Sequence, residues 1–154
     1  MENKIKQNTE CCPPFDAELW NDKVVNWDNK HFVKAKVKTF MFMPLNFGSA
    51  IRRISKLLEQ QQVNVDENIC LSDHTSKWNM DIYLATDKDV KGAENIQLSG
   101  KYYCRVYEGE FKQTGDWCKD FDLKAKQNNH KIGKIYRSEE RRVGKECRSS
   151  WSTY

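Results

Sequence analysis

The stretch HFVKAKVKTFMFMPLNFGSAIRRISKLL, residues 31–58, decides the fold class. Its first half alternates. Val33, Ala35, Val37, Thr39 and Met41 fall on one side of an extended chain, and Lys34, Lys36 and Lys38, followed by Phe40 and Phe42, fall on the other. A period of two predicts a strand over residues 31–43, with a wet face that turns aromatic at its far end. Pro44 cannot donate to a ladder and stops it. The period then changes. Phe47, Ile51, Ile54 and Leu58 recur at helical spacing, Asn46 stands where a cap is wanted, and the polar run at 59–62 ends the helix.

Downstream the same sequence of periods returns. Residues 69–72 read as a short strand, 73–77 as a turn, and 78–86 as a strand with Trp78, Met80, Ile82 and Leu84 opposing Asn79, Asp81, Tyr83 and Ala85. A loop at 87–94 leads to strand residues 96–98 and 101–107, with a bulge expected at Gly100. A second helix over 114–127 carries Trp117, Phe121 and Ala125 on one stripe, and 131–136 begins another strand. Strand–helix–strand–strand thus occurs twice, the second copy cut short. The fold class is α+β: an antiparallel sheet with two helices on one face, the last strand or strands missing.

Upstream, residues 1–10 are polar and expected to be disordered. Pro13 and Pro14 then enforce an extended approach, and Phe15, Leu19 and Trp20 give that arm something to bury.

A chain of 154 residues suits one domain. Aromatics at 12% argue for a packed fold in spite of 31% charged residues. The N-terminus has no apolar stretch of the kind a leader needs, which predicts a cytoplasmic location. The longest apolar run, residues 40–45, is far too short to span a bilayer, so no membrane partner is expected. The six cysteines form no Cys-x-x-Cys: Cys11 and Cys12 are adjacent, and Cys70, Cys104, Cys118 and Cys147 are scattered. No metal or cofactor is therefore expected, and reduced thiols suit the location.

The final stretch RSEERRVGKECRSSWSTY, residues 137–154, continues no pattern. It resembles the read-through translation of a short-read sequencing adapter, RSEERRVGKECRSRWSPY, at all positions except Ser150 and Thr153. On that resemblance it is expected to be an artefact, exposed and irregular. Of 26 basic and 22 acidic residues, five and three lie in this tail, which halves the net charge of +4 for the rest. No nucleic-acid footprint is left.

Four segments carry a family resemblance: CCPPFDAELW (11–20), FMFMPLNFG (40–48), SDHTSKWNMDIYLATDKDVKGAE (72–94) and LSGKYYCRVYEGEF (98–111). Together, over residues 11–136, they resemble the GyrI-like small-molecule-binding domains, which share the effector-binding fold of multidrug-responsive transcription activators. Members with the CCPPF opening are often labelled hydrolase. The resemblance implies two strand–helix–strand–strand modules about a pseudo-two-fold axis, with a ligand in the cleft between them. It also implies one further strand after Lys134-Ile135-Tyr136, preceded by a Cys-x-x-Cys that this chain lacks.

The candidate cleft walls are Phe40, Phe42, Trp78, Tyr83, Tyr103 and Tyr107, since aromatic faces hold flat or cationic ligands. Trp117 belongs with them or, like Trp78, with the core. Asp81 is a candidate pocket carboxylate, and Glu108, ending a strand at a Gly turn, is the candidate catalytic acid or base. Lys34, Lys36 and Lys38 read as a solvated edge. The leading function is binding of small hydrophobic, aromatic or cationic molecules. The alternatives are a hydrolase of the same fold acting on electrophilic, cyclopropane-type toxins, and a module that binds or inhibits a protein partner.

Overall fold

The alternation at residues 31–43 is the second half of a longer strand. β1 (Lys23–Phe40) is followed by the two-residue β2 (Met43–Pro44), α1 (Phe47–Gln61), β3 (Val65–His74), β4 (Asn79–Thr86), β5 (Glu94–Gly109), α2 (Thr114–Gln127), β6 (Ile135–Arg142) and β7 (Lys145–Thr153). The structure, a computed structural model, describes the backbone of residues 17–109, 111–142 and 145–153. The expected N-terminal disorder, most of the arm and the Cys11–Cys12 pair lie outside the described residues. Every strand pairing is antiparallel.

The six long strands pair in the order β1-β4-β3-β6-β7-β5, and β5 pairs back onto β1. Each module, β1-α1-β3-β4 and β5-α2-β6-β7, therefore lays down its first, third and second strands in that order, and the two halves meet at β1–β5 and β3–β6. A bulge lets β1 serve both neighbours. Its register with β5 shifts between Trp27 and Lys30, Asn29 sits at φ 49°, and Gly100, opposite Trp27, takes φ 125°. Asparagine and glycine are the residues that tolerate such backbone, and the resulting bend turns β1 from β5 toward β4. Residues 32–34 are hydrogen-bonded on both sides.

Alternation then sorts the side chains to two faces. On the outer face Val33, Ala35, Val37, Met80, Ile82 and Leu84 pack against Ala50, Ile54 and Leu58 of α1. Burying each large aliphatic side chain stabilises the fold by about 1.5–3 kcal/mol. α2 covers the outer face of the second module with Phe121 and Ala125 against Tyr103. Both helices thus lie on one face, as the period change predicts. The inner face holds Trp27, Phe32, Leu71, Tyr83, Tyr102 and Tyr136.

The details depart from the sequence reading in four places. Phe47 is 39% exposed and outside the stripe that α1 buries. Asn46 does not cap α1 through its side chain; its Oδ1 accepts the Lys38 backbone N–H at 2.8 Å instead, tying the helix entry to β1. The lysine strand is an edge only in part: Lys34 is paired on both sides, with Tyr83 and Glu94, whereas Lys36 and Lys38 have a ladder partner on the β4 side alone. The tail is not irregular: its backbone runs as the end of β6 and as β7, which pairs with β5 from Tyr102–Thr153 to Gly109–Glu146. The second module therefore contains the strands that the sequence reading had as missing. Among the described residues no helix is long and apolar enough to cross a membrane.

Candidate functional site

The inner face of β4 carries Tyr83 and Asp81 two residues apart, which places them side by side on one surface. Register supplies their neighbours. Tyr83 stands between Lys34 and Leu71, and Asp81 between Lys36 and Asp73. Asp73 and Asp81 are thus two like charges directly opposite each other, an arrangement that destabilises a sheet unless it is compensated. Two lysines compensate it. Lys34 Nζ lies 3.6 Å from Asp81 Oδ2 and 3.6 Å from Glu94 Oε1, and Lys134 Nζ lies 2.9 Å from Asp73 Oδ2.

Behind this row the interior is closed by aromatic rings. Tyr83 and Tyr136 meet edge-on with centroids 5.5 Å apart, Tyr102 lies 6.5 Å from Tyr136, and Trp27 lies 4.4 Å from Tyr102. The three tyrosines are buried, whereas the Asp81 and Asp73 side chains keep 13% and 19% of their exposure. The carboxylate row is therefore where this face meets solvent.

The electrostatics follow from burial and from the lysines. Burial raises the Tyr83 phenol, against the pull of Lys134 and Lys34, and pushes Tyr102 up to about 12. Both remain hydrogen-bond donors at neutral pH. Burial alone would lower the Lys34 ammonium, but Asp81, Tyr83 and Glu94 outweigh it and raise it. The hydrogen bond to Asp73 holds Lys134 up at about 12, and its ammonium lies 5.0 Å from the Tyr136 ring centre. Opposed carboxylates flanked by fixed ammonium groups and protonated phenols can hold a water and polarise a bound polar group.

Tyr83 and Asp81 are the two predicted site residues that come together here. Tyr103 and Tyr107 lie on the opposite face, under α2. Tyr103 donates its hydroxyl proton to Asp22, and Tyr107 donates to Asp120 at 2.7 Å and stacks on Trp117 at 5.8 Å. Arg105 bridges both carboxylates at 3.1 Å. Phe40, Phe42 and Trp78 lie past the open end of the carboxylate row, 57%, 43% and 53% exposed. Glu108 lies in β5 at the register position opposite Cys147; its side chain is outside the described residues. The Val90–Glu94 motif belongs to a separate surface concavity of roughly 410 Å³, lined in part by Gln61, Asp89, Lys91 and Asn95 and by none of these tyrosines.

Sequence reasoning missed Lys34, Asp73, Tyr102, Tyr136 and Lys134. Tyr102 and Lys34 were legible as face partners of their strands, but which face would close on the other module is a long-range fact. Asp73 lay in a segment read as a turn. Among the described residues no cluster of three or more His, Cys, Asp or Glu side chains could hold a metal ion.

Two antiparallel modules with a tyrosine-rich inner face and a row of carboxylates at its margin define a two-module α+β domain. A family model described as bacterial hydrolase matches residues 2–138. The chain belongs to that bacterial hydrolase family. No curated protein matches it.

Proposed function

We propose that the inner cleft binds small hydrophobic or aromatic molecules and hydrolyses an electrophilic bond in them. The observation that carries this reading is the opposed pair Asp73 and Asp81, each held by a lysine, at the mouth of the buried tyrosines. Membership of a hydrolase family supports the reaction class. The resemblance to GyrI-like domains supports small ligands, aromatic or cationic ones included, and an electrophile such as a strained ring.

In this reading a water between the two carboxylates attacks the electrophilic carbon. Asp81 takes the proton the water gives up, a C–O bond forms, and the bond to the leaving group breaks with its electron pair. Tyr83 donates a hydrogen bond to the oxygen on which charge develops. Lys34 holds Asp81 in place for this role. Phe40, Phe42 and Trp78 give the substrate an apolar approach.

The test is turnover of a panel of aryl esters and strained-ring electrophiles, with thermal shift as the binding readout. Asp81→Asn is expected to lower kcat by about 10²–10⁴-fold while a ligand still raises Tm. An unchanged kcat would remove Asp81 from the chemistry, and the same loss from Glu108→Gln alone would move the base there. Ligand shifts with no turnover in the wild type would leave a binding domain. Capture of a protein with neither shift nor turnover would favour the interaction module.

A further inference from the structure

The β1–β2 hairpin and the start of α1 form an exposed apolar point. Met43 and Leu45 are 64% and 69% exposed, and Phe40, Met41, Phe42 and Trp78 lie between 43% and 57%. Monomeric proteins seldom leave so many large apolar side chains together in water. The backbone beneath them is unusual as well. Met41 and Phe42, the two turn residues, have φ 48° and 70°. Consecutive positive φ values favour Asn-Gly and are rare for bulky side chains, so this turn holds its apolar residues outward against local preference.

The point is fastened. Phe42 N–H donates to Lys77 O at 3.2 Å, Leu45 N–H to Lys38 O at 2.9 Å, and Thr39 N–H to Trp78 O at 2.8 Å. The Thr39 hydroxyl donates to Lys77 O at 2.9 Å. Phe40 and Trp78 support each other with ring centres 5.5 Å apart.

The chain that forms it is basic, with Asp81 opposite Lys36 on the strand behind it. No acidic residue occurs between Asp28 and Glu59, an interval that holds Lys36, Lys38, Arg52, Arg53 and Lys56 among its cations. All five are exposed, as is Lys77 beside Trp78. An exposed apolar tip flanked along the chain by exposed cations suits one kind of surface: a bilayer whose headgroups are anionic and whose acyl region begins a few ångströms deeper.

We infer that the Phe40–Met43 tip, with Leu45 and Trp78, docks the protein onto anionic lipid surfaces. The sequence argument against a membrane partner rested on the lack of a spanning run, which a peripheral contact does not need. The inference needs no turnover in the cleft, but it shares Phe40, Phe42 and Trp78 with the proposed substrate approach, so vesicle binding and not activity is its readout.

The full chain is mixed with vesicles of equal parts phosphatidylglycerol and phosphatidylcholine, or of phosphatidylcholine alone, and sedimented. Binding is expected to the mixed vesicles, weaker by at least about tenfold to the neutral ones, and falling as salt rises. The double variant Phe40→Ser, Phe42→Asn should lose at least about tenfold in binding to the mixed vesicles. It should keep its fold, with only a small fall in melting temperature: the variant gives up the ring contacts of Phe40 with Trp78 and of Phe42 with His74, while asparagine suits φ 70°. No binding to mixed vesicles, equal binding to both compositions, or full binding by the variant with its fold intact would each overturn the inference. Self-association of the wild type that the variant abolishes, without vesicle binding, would assign the tip to a second copy of the chain instead.

Discussion

The two modules share a topology and are held together differently. In the first, α1 seals its sheet with aliphatic side chains alone: Ile54 and Leu58 against Val33, Val37, Ile82 and Leu84. In the second, among the described residues, Tyr103, Phe121 and Ala125 form the buried cluster under α2. Tyr107, Ile132 and Ile135 pack partly buried against it, and a polar network runs alongside. Arg105 bridges Asp22 and Asp120 at 3.1 Å each, its Nε–H donates to the Tyr107 hydroxyl at 3.2 Å, and Tyr107 stacks on Trp117. Topology therefore does not dictate what stabilises it. Apolar burial tolerates pH and salt, whereas a half-exposed ion network depends on both.

The largest expected effect breaks the comparison at its weaker partner. Removing residues 139–154 takes away β7, which pairs with β5 at eight positions, and leaves that edge of β5 without ladder partners. A net contribution of about 1 kcal/mol per lost hydrogen bond predicts a loss on the order of 4 kcal/mol or more, a fall in Tm of roughly 15 °C. An unchanged melting curve would show that the tail contributes nothing to the fold, as its likeness to a translated adapter implies. The family match ends at residue 138, so this one deletion separates the two outcomes.

Next in size is Ile54→Ala, which empties a site that is 2% exposed in the aliphatic layer. A loss of about 2–4 kcal/mol is expected by chemical denaturation, nearly constant between about pH 3 and 8 because no ion pair is touched. A strongly pH-dependent loss would mean that the first module also relies on charge.

Smaller, and opposite in character, is Arg105→Met. Asp22 is 54% exposed and Asp120 39%, so screening limits the cost to about 1–2 kcal/mol at neutral pH. The hydrogen bond from Tyr103, with help from Arg105, holds the Asp22 carboxyl below its ordinary 3.8. Its contribution is therefore present above that value and is lost as pH falls through the depressed folded value. The variant's deficit should shrink below about pH 4 and with added salt, both measured by thermal unfolding. A deficit that ignores pH would make Arg105 a packing residue.

Much of this was readable in the residues because it is local. Period two at 33–39 and helical spacing at 51–58 correctly assign the outer layer, and the repeat of that order announces the second module. Alternation alone puts Tyr102 and Tyr103 on opposite faces of their strand. What alternation cannot say is which of the two becomes the inside, since both are tyrosines and both end up buried. Asp73 was hidden for the same reason: its role depends on standing opposite Asp81, a register set by the turn at 75–78 and by the bulge between Val65 and Cys70. The Met41–Phe42 turn was misread because its side chains continue the apolar pattern while its backbone leaves the strand.

The double pairing of β1 also sets an order of events in time. Lys23 meets its partner Cys104 eighty-one positions later. At a synthesis rate of about 5–20 residues per second, the ribosome needs roughly 4–16 s to deliver that partner. Meanwhile β4, only about fifty positions downstream of β1, can already claim the other side of the strand. The first module is positioned to fold while the chain is still being made, with one flank of β1 bare until β5 emerges. The bulge at Asp28 and Asn29 interrupts that flank, and an interrupted edge is a poor template for strands of neighbouring nascent chains.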